Sequence, residues 1–304
     1  MHLKFYPSDL TNKQWLFIAP HLPEEHERGR PRKTDFRQVI NALLYMTRTG
    51  CQWSMLPLEF PPRSTIHGYF SAWRDDGTWD EIVRLLREEI RMRAGRNKMP
   101  SASIIDSQTV KTASVSECVG YDGAKKTKGR KRHLAVDVLG LLLAIVVHSA
   151  GIDERRGAKL LMARVSLSFP GILKVWADGG YSGSPLKHWF LSQFNCILEI
   201  VKRPRGAFQI VKWRWIVERT FGWFNWQRRL SKDYEYYETS AEAWLKIASI
   251  NMMLHRQQPG LDAQTERVKY KLGVRRGFDM LMRSCLNEYF NFQAIFFELM
   301  FDNA

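Results

Sequence analysis

The sequence predicts an α/β protein: a mixed five-stranded sheet with flanking helices, preceded by a small all-α unit. Apolar residues recur at helical spacing through the first 95 residues, whereas short β-rich runs alternate with helical ones after about residue 100. The later elements follow the order β-β-β-α-β-α-β-α, which is typical of a sheet with helices packed on its faces.

The first 95 residues predict four helices, over about 9–22, 35–49, 64–73 and 79–93. The second is the clearest, because its apolar residues share one face and Gly50 follows its last turn. The third helix carries Arg63, His67 and Arg74, which makes this unit compatible with a helix-turn-helix that binds DNA. Helical bundles without that role are commoner, so the pattern alone does not decide.

The rest of the chain predicts the sheet. Strands are expected over 103–110, 131–138, 140–149, 171–177 and 195–202. Helices are expected over 156–168, 184–194 and 213–230. Ser184 and Pro185 form a good cap and first turn for the second of these helices.

Composition excludes several classes of protein. The 304 residues are 45% hydrophobic, which rules out wholesale disorder. The longest apolar run, Leu139–Val147, is much shorter than the roughly 20 residues that cross a bilayer. The start of the chain lacks the layout of a signal peptide, and the four cysteines form no CxxC pair. We therefore expect a cytoplasmic protein without a membrane partner, a zinc knot or a disulfide framework.

The net charge of +15 is concentrated in one part of the chain. Residues 96–257 hold 26 Lys and Arg against 13 Asp and Glu. Such a concentration favours a polyanionic partner over the alternative, a basic surface kept for solubility. The candidate contacts in this region are Lys128, Arg130, Lys131, Arg132, Lys202, Arg203, Arg228 and Arg229.

Three acids occupy positions that a hydrophobic core would not favour. Asp106 interrupts the first strand, Asp178 follows the fourth, and Glu218 lies on the last helix one turn before Phe221. Any one of them alone is better explained as a structural hydrogen-bond acceptor. Together, carboxylates that converge at strand ends form a site suited to Mg²⁺. Two ions about 3.5–4 Å apart would hold the attacking and leaving oxygens of a phosphoryl transfer.

Arg214 precedes Glu218 by four residues and therefore shares its helix face. The simplest interpretation is an ion pair worth about 0.3–0.5 kcal/mol. The functional interpretation is that Arg214 holds a phosphate while Glu218 binds metal. Asn225 lies on the same face.

These residues resemble a known family. Ile104-Ile105-Asp106-Ser107-Gln108, Trp176-Ala177-Asp178-Gly179-Gly180-Tyr181 and Arg214-Trp215-Ile216-Val217-Glu218-Arg219-Thr220-Phe221 are similar to the DDE motifs of bacterial insertion-sequence transposases. The resemblance is to the insertion-sequence 5 group of the insertion-sequence 4/5 superfamily. It extends over about residues 7–257.

The resemblance implies a ribonuclease H-like core whose first and fourth strands are adjacent, with the last helix packed against them. It implies that Asp106, Asp178 and Glu218 are catalytic and hold two Mg²⁺ ions, for which Mn²⁺ substitutes. The partners implied are double-stranded DNA, as terminal inverted repeats and target DNA, and a second copy of the chain when assembled on DNA. The implied location is the bacterial nucleoid.

The chain departs from the family in its helix signature, Tyr-x2-Arg-x3-Glu-x6-Lys. Arg214 and Glu218 match it, whereas Val211 stands at the Tyr place and Asn225 at the Lys place. The resemblance therefore makes Arg214 a phosphate contact and leaves Asn225 as a hydrogen-bond donor. Arg63 stands where relatives often carry an aromatic residue.

Three segments are expected: a helical DNA-end-binding domain over 1–95, a catalytic domain over 96–257, and a helical tail over 258–304. The tail has three interpretations: a helix docked on the core, a contact between two copies of the chain, or residues added by translation past the usual stop codon. The leading function is that of a transposase that cleaves DNA and joins 3′-hydroxyl ends to a target. The alternatives are a nuclease with the same core and a non-catalytic or decayed DNA-binding protein.

Overall fold

A mixed sheet runs through the chain in this computed structural model, which describes residues 6–24, 33–113, 115–201 and 213–256. The six strands in the described residues are β1 Ala102–Lys111, β2 Gly120–Asp122, β3 Thr127–Val136, β4 Leu142–Ser149, β5 Lys174–Ala177 and β6 Ile197–Ile200. Their order is β2-β3-β1-β5-β6, and β4 also pairs with β3. β1 pairs antiparallel with β3 and parallel with β5.

The predicted α/β class is confirmed, and so is the adjacency of the first strand to the strand that ends before Asp178. The predicted number of strands was one too low, because β2 was missed. β2 has only three residues and ends where Gly123 begins a turn. A segment that short shows no alternation of apolar and polar residues from which a strand can be predicted.

The N-terminal region is all helical, as predicted. Its helices are α1 Asn12–Ile18, α2 Phe36–Thr49, α3 Arg63–Asp75 and α4 Thr78–Arg93. Thr11 and Gln14 form a capping box at the start of α1, and Gly50 ends α2 in the left-handed conformation with φ 72°. α1 is shorter than the predicted helix because Pro20 lies in a separate 3₁₀ turn.

Four further helices follow in the described part of the chain: α5 Glu154–Ser168, α6 Ser184–Phe194, α7 Arg214–Asn225 and α8 Glu238–Arg256. α5 begins two residues earlier than predicted because the carboxylate of Asp153 caps it. α7 stops at Asn225, five residues before the predicted end, and a separate 3₁₀ turn follows over Arg228–Leu230. α8 was not predicted.

Helices cover both faces of the sheet, and alternate residues of β1 point to opposite layers. Ile104 packs in a core shared with α7 and α8, whereas Ile105 packs in a second core shared with α5 and α6. Glu218 of α7 and Asp106 of β1 therefore belong to the same layer. No helix within the described ranges is long and apolar enough to cross a membrane.

The N-terminal helices share the first of these cores with the sheet. The ring of Trp244 in α8 stacks on Phe70 of α3 with centroids 4.8 Å apart, and α8 also contacts α4 and β4. At the far end of α4, Arg91 pairs with the buried Asp137 in the β3–β4 turn. The expected boundary near residue 95 stays a prediction, and the expected tail over 258–304 lies outside the described residues.

Candidate active site

Asp106 and Asp178 lie at the same level on adjacent strands, Asp106 within β1 and Asp178 directly after β5. The parallel pairing of β1 with β5 ends at the pair Ile104 and Trp176, and each acid follows its strand's member of that pair by two residues. Because the two strands are parallel and in this register, Asp106 lies beside the point at which β5 ends and Asp178 follows. Val175 and Ala177 anchor the end of β5 in the second core.

Asp178 has two contacts with different consequences. Its Oδ1 accepts a hydrogen bond from the backbone N–H of Gly180 at 2.8 Å, which caps the short 3₁₀ turn over Gly179–Tyr181. Its Oδ2 lies 3.4 Å from Nη2 of Arg214. One oxygen therefore fixes the orientation of the carboxylate and the other faces the first turn of α7.

Arg214 joins the second acid to the third. The same Nη2 that approaches Asp178 lies 3.1 Å from Oε1 of Glu218, one turn further along α7. α7 packs on β1, the strand that carries Asp106. A single guanidinium nitrogen thus contacts carboxylates from β5 and α7.

Asp106 belongs to the same electrostatic environment. The pKa of Asp106 is raised from 3.8 to about 6, mainly by burial, and the negative charges of Asp178 and Glu218 act in the same direction. The backbone N–H of Ser107, which donates to Oδ1 at 2.7 Å, and the charge of Arg214 oppose that rise. The three acids therefore interact with one another and with one arginine.

The donor set fits a divalent cation in its chemistry, since three carboxylates are the oxygen ligands that such ions prefer. The three carboxylates are nevertheless not spaced in this structure as the ligands of one bound ion would be. Within the described ranges, no three His, Cys, Asp or Glu side chains are grouped closely enough to hold a metal ion. The cation that the acids share in this arrangement is the guanidinium of Arg214.

Comparison with known families adds to this geometry. Residues 97–252 match the family model described as the transposase DDE domain, which covers more than half of the chain. Residues 10–83 match a second model, described as a transposase of the IS4/5 family. The chain belongs to the IS4/5 family of DDE transposases. This family normally uses divalent metal ions.

A curated relative is similar over a shorter stretch. The "Uncharacterized protein y4sN" of Sinorhizobium fredii (strain NBRC 101917 / NGR234) is 29% identical over 80 residues. The match covers 26% of the transposase and 64% of the relative. The transposase thus matches less than two thirds of that relative's length.

Three of the basic residues of β3 are buried rather than on the surface. Arg130, Lys131 and Arg132 are each at most 2% exposed. Arg130 pairs with Asp233 at 3.3 Å, Lys131 with Glu154 at 2.9 Å, and Arg132 donates to the carbonyl oxygen of Leu230 at 2.7 Å. For these three residues the structure replaces the expected DNA contacts with internal ones, because a buried charge requires a partner.

The other expected contacts fall into three groups. Lys128, Arg228, Arg63 and His67 are exposed. Arg229 and Arg74 have partners within the chain: Arg229 pairs with Glu235 at 2.6 Å, and Arg74 with Asp75 at 2.7 Å. Lys202 and Arg203 lie outside the described residues.

Two residues beside the acids were not predicted as part of the site. Gln108 follows Asp106 by two residues on β1, so both lie on one face of the strand, and its amide donates to Oδ1 of Asn225 at 3.2 Å. Lys125 reaches the strand from the β2–β3 turn, where its ammonium donates to the carbonyl oxygen of Ser107 at 3.2 Å. The period of two along β1 was the available signal for Gln108.

A buried polar pair, Tyr181 and His133, lies beside β3, the strand that carries His133. The hydroxyl of Tyr181 lies 3.2 Å from Nδ1 of His133, and both side chains are fully buried. Burial raises the pKa of Tyr181, and the negative charge of Asp106 raises it further. Gly157 is required at this place, since a Cβ on it would lie 2.3 Å from Nε2 of His133. This packing holds β3 close to α5.

Proposed function

We propose that this transposase cleaves DNA at the terminal inverted repeats of its insertion sequence and joins the freed 3′-hydroxyl ends to target DNA. One observation carries the proposal: a single nitrogen of Arg214 contacts both Asp178 and Glu218, and Asp106 interacts with all three charges. Two acids from separate elements thus contact one cation, and a third lies within its electrostatic reach. Membership of the family supports the same reaction class.

Asp106, Asp178 and Glu218 are the residues that would hold the divalent ions, two Mg²⁺ with Mn²⁺ as a substitute. Bound there, such ions supply Lewis-acid stabilisation of the attacking and leaving oxygens. The chain itself holds the carboxylates of these acids in a fixed orientation. Asp178 is oriented by the backbone of Gly180, and Asp106 by that of Ser107.

The basic residues around the acids would bind and orient the DNA strand. Arg214 presents a guanidinium suited to bidentate contact with a phosphate. Lys125 on the β2–β3 turn reaches the carbonyl oxygen of Ser107, next to Asp106, and the exposed Lys128 lies at the start of β3. Asn225 would donate from its amide where relatives carry a lysine. Each phosphate neutralised releases counterions, so we expect affinity to fall steeply with salt.

The N-terminal helices would bind the element's ends. The apolar face of α3 is buried through Ile66, Phe70 and Trp73, whereas Arg63 and His67 on the same helix are exposed. A helix with one buried face and a basic outer face suits contact with duplex DNA. Because two ends must be processed together, the proposed assembly on DNA is a homodimer, acting at the nucleoid.

The decisive experiment compares Asp178→Asn with the unchanged chain. The substitution keeps the size of the side chain and its ability to accept from Gly180, but removes the negative charge. We expect loss of metal-dependent cleavage of DNA carrying the element's ends, with affinity for that DNA retained. Glu199→Gln is the matched control, because Glu199 lies one strand away on β6 and pairs with Lys174 at 2.6 Å.

The same pair of variants distinguishes the alternatives. A non-catalytic DNA-binding protein would show no metal-dependent cleavage in any form, including the unchanged chain. A nuclease with the same core would cleave DNA without joining its ends to a target. Full cleavage by Asp178→Asn would contradict the proposal.

A further inference from the structure

Arg214 occupies the position of a counter-ion among the three acids. Its Nη2 lies 3.1 Å from Glu218 and 3.4 Å from Asp178, and its side chain is 17% exposed. Its Nε is buried without a hydrogen-bond partner. A buried donor without a partner is costly, so the position of this guanidinium is explained by the charges around it rather than by a complete set of hydrogen bonds.

The backbone before Arg214 is strained. Trp213 has φ 72°, in the region that side chains other than glycine rarely adopt. Its indole stacks on that of Trp176 with centroids 4.9 Å apart and planes at 19°. Trp176 precedes Asp178 by two residues on β5. The stack therefore holds the start of α7, and Arg214 with it, against the strand that carries Asp178.

From these contacts we infer that Arg214 is a built-in substitute for the divalent cation. In the DNA-free chain its guanidinium neutralises Asp178 and Glu218, and a metal ion binds there only by displacing it. The inference rests on the proposed function and adds an order to it: a DNA phosphate draws Arg214 away from the acids, and the acids then accept metal.

Electrostatics gives the reason for the competition. Without a cation between them, Asp178 and Glu218 would repel one another, since both carboxylates approach the same guanidinium nitrogen. Oδ1 of Asp178 accepts a hydrogen bond from Gly180 and Oδ2 faces Arg214, so the guanidinium covers the oxygen that Gly180 leaves available. A metal ion bound by these acids would therefore compete with Arg214.

Displacement of one cation by another couples the two ligands. If DNA removes Arg214 from the acids, metal binds the complex more tightly than the free chain. By thermodynamic linkage, metal then raises the affinity for DNA by the same factor. A chain in which Arg214 is neutral loses most of this coupling, because nothing remains to be displaced.

The test measures Mn²⁺ binding to the full chain without DNA, by isothermal titration calorimetry. Arg214→Gln removes the competing charge, so we expect Mn²⁺ to bind on the order of tenfold more tightly than to the unchanged chain. Arg214→Lys keeps the charge and is expected to keep the weak binding. Arg219→Gln is the control for net charge, since Arg219 lies on the same helix with its guanidinium 4.5 Å from Trp215 and 4.4 Å from Trp223.

A second measurement distinguishes competition between Arg214 and the metal ion from a role of Arg214 in stabilising the fold. In the presence of a chelator, Arg214→Gln is expected to lower the melting temperature, since the acids then repel without compensation. Saturating Mn²⁺ is expected to raise the melting temperature more in this variant than in the unchanged chain. A residue that only supported the fold would leave the variant equally destabilised with and without metal.

The outcomes are distinct. Weaker Mn²⁺ binding by Arg214→Gln would overturn the inference, because Arg214 would then be a positioning residue for the metal ligands. Equal binding by all variants would overturn it too. In both cases the proposed function stands as long as Mn²⁺ supports cleavage by the unchanged chain and not by Asp178→Asn, and it fails only if that difference is lost.

Discussion

Gln108 and Asn225 are joined across the layer between β1 and α7, with Nε2 of Gln108 donating to Oδ1 of Asn225 at 3.2 Å. Each lies on the same element as one of the acids, Gln108 two residues after Asp106 and Asn225 seven residues after Glu218. The bond thus connects the strand and the helix at the edge of the site. It also orients the amide of Asn225, whose position in the family signature belongs to a lysine.

Asn225→Lys is expected to strengthen DNA binding. The substitution adds a positive charge beside the site, so affinity for a DNA duplex should rise and the slope of log affinity against log salt should steepen by about one. Fluorescence anisotropy over a salt series measures both. Gln193→Lys on the exposed face of α6 adds the same charge elsewhere, and an equal effect there would show that Asn225 has no special position.

Asp137→Asn is expected to destabilise the fold. Asp137 is fully buried, pairs with Arg91, and accepts from the backbone N–H groups of Leu139 and Leu141. The amide keeps the shape but leaves a buried arginine without its counter-charge, which costs about 3 kcal/mol. Denaturant unfolding measures the loss. Asp80→Asn breaks an exposed pair with Lys246 and should cost less than about 1 kcal/mol.

The stabilisation that Asp122 provides is expected to be lost within a narrow range of acid pH. Burial alone would raise its pKa, but hydrogen bonds from Thr109 and the backbone of Lys125, with the charge of Lys131, lower it to about 2 from 3.8. A folded pKa below the unfolded one stabilises the fold fully above pH 4, and this stabilisation is lost as pH falls from about 4 to 2.

The contribution of Asp122 amounts to about 2 kcal/mol. Asp122→Asn should therefore be less stable than the unchanged chain at pH 6, and the difference should shrink toward pH 2. Urea unfolding at several pH values measures it. A difference that stays constant over this range would show that the charge of Asp122 is not what stabilises the turn.

One lysine and one arginine substitution in β3 should distinguish a surface residue from a buried one. Lys128→Gln is expected to weaken DNA binding without changing the melting temperature, because Lys128 is exposed. Arg130→Met is expected to lower the melting temperature, because it leaves Asp233 buried and unpaired. Thermal unfolding and anisotropy on both variants measure this, and the reverse pattern would show that Arg130 contacts DNA after all.

Much of the fold was predictable because its signals are local. The caps of α1 and α2 and the glycine that ends α2 lie within a few residues of the helices they delimit. The order of strands and helices sufficed to predict the α/β class. The candidate acids were found for a similar reason: each lies where an apolar run ends, and a charge there is conspicuous in the sequence.

The remaining features depend on residues distant along the chain. The sequence around Arg130 does not reveal that Asp233, 103 residues later, will neutralise it. α8 was missed because buried residues lie on most of its surface, so it lacks the polar face from which a helix is usually recognised. The contact of Arg214 with Asp178 likewise depends on how α7 docks.

The stacking of Trp244 on Phe70 bears on how the chain is made. During synthesis α3 leaves the ribosome about 170 residues before α8 can cover Phe70. The packing of the N-terminal helices is therefore completed only after most of the catalytic region has been made. Newly made transposase should be most vulnerable to aggregation and proteolysis just before α8 emerges.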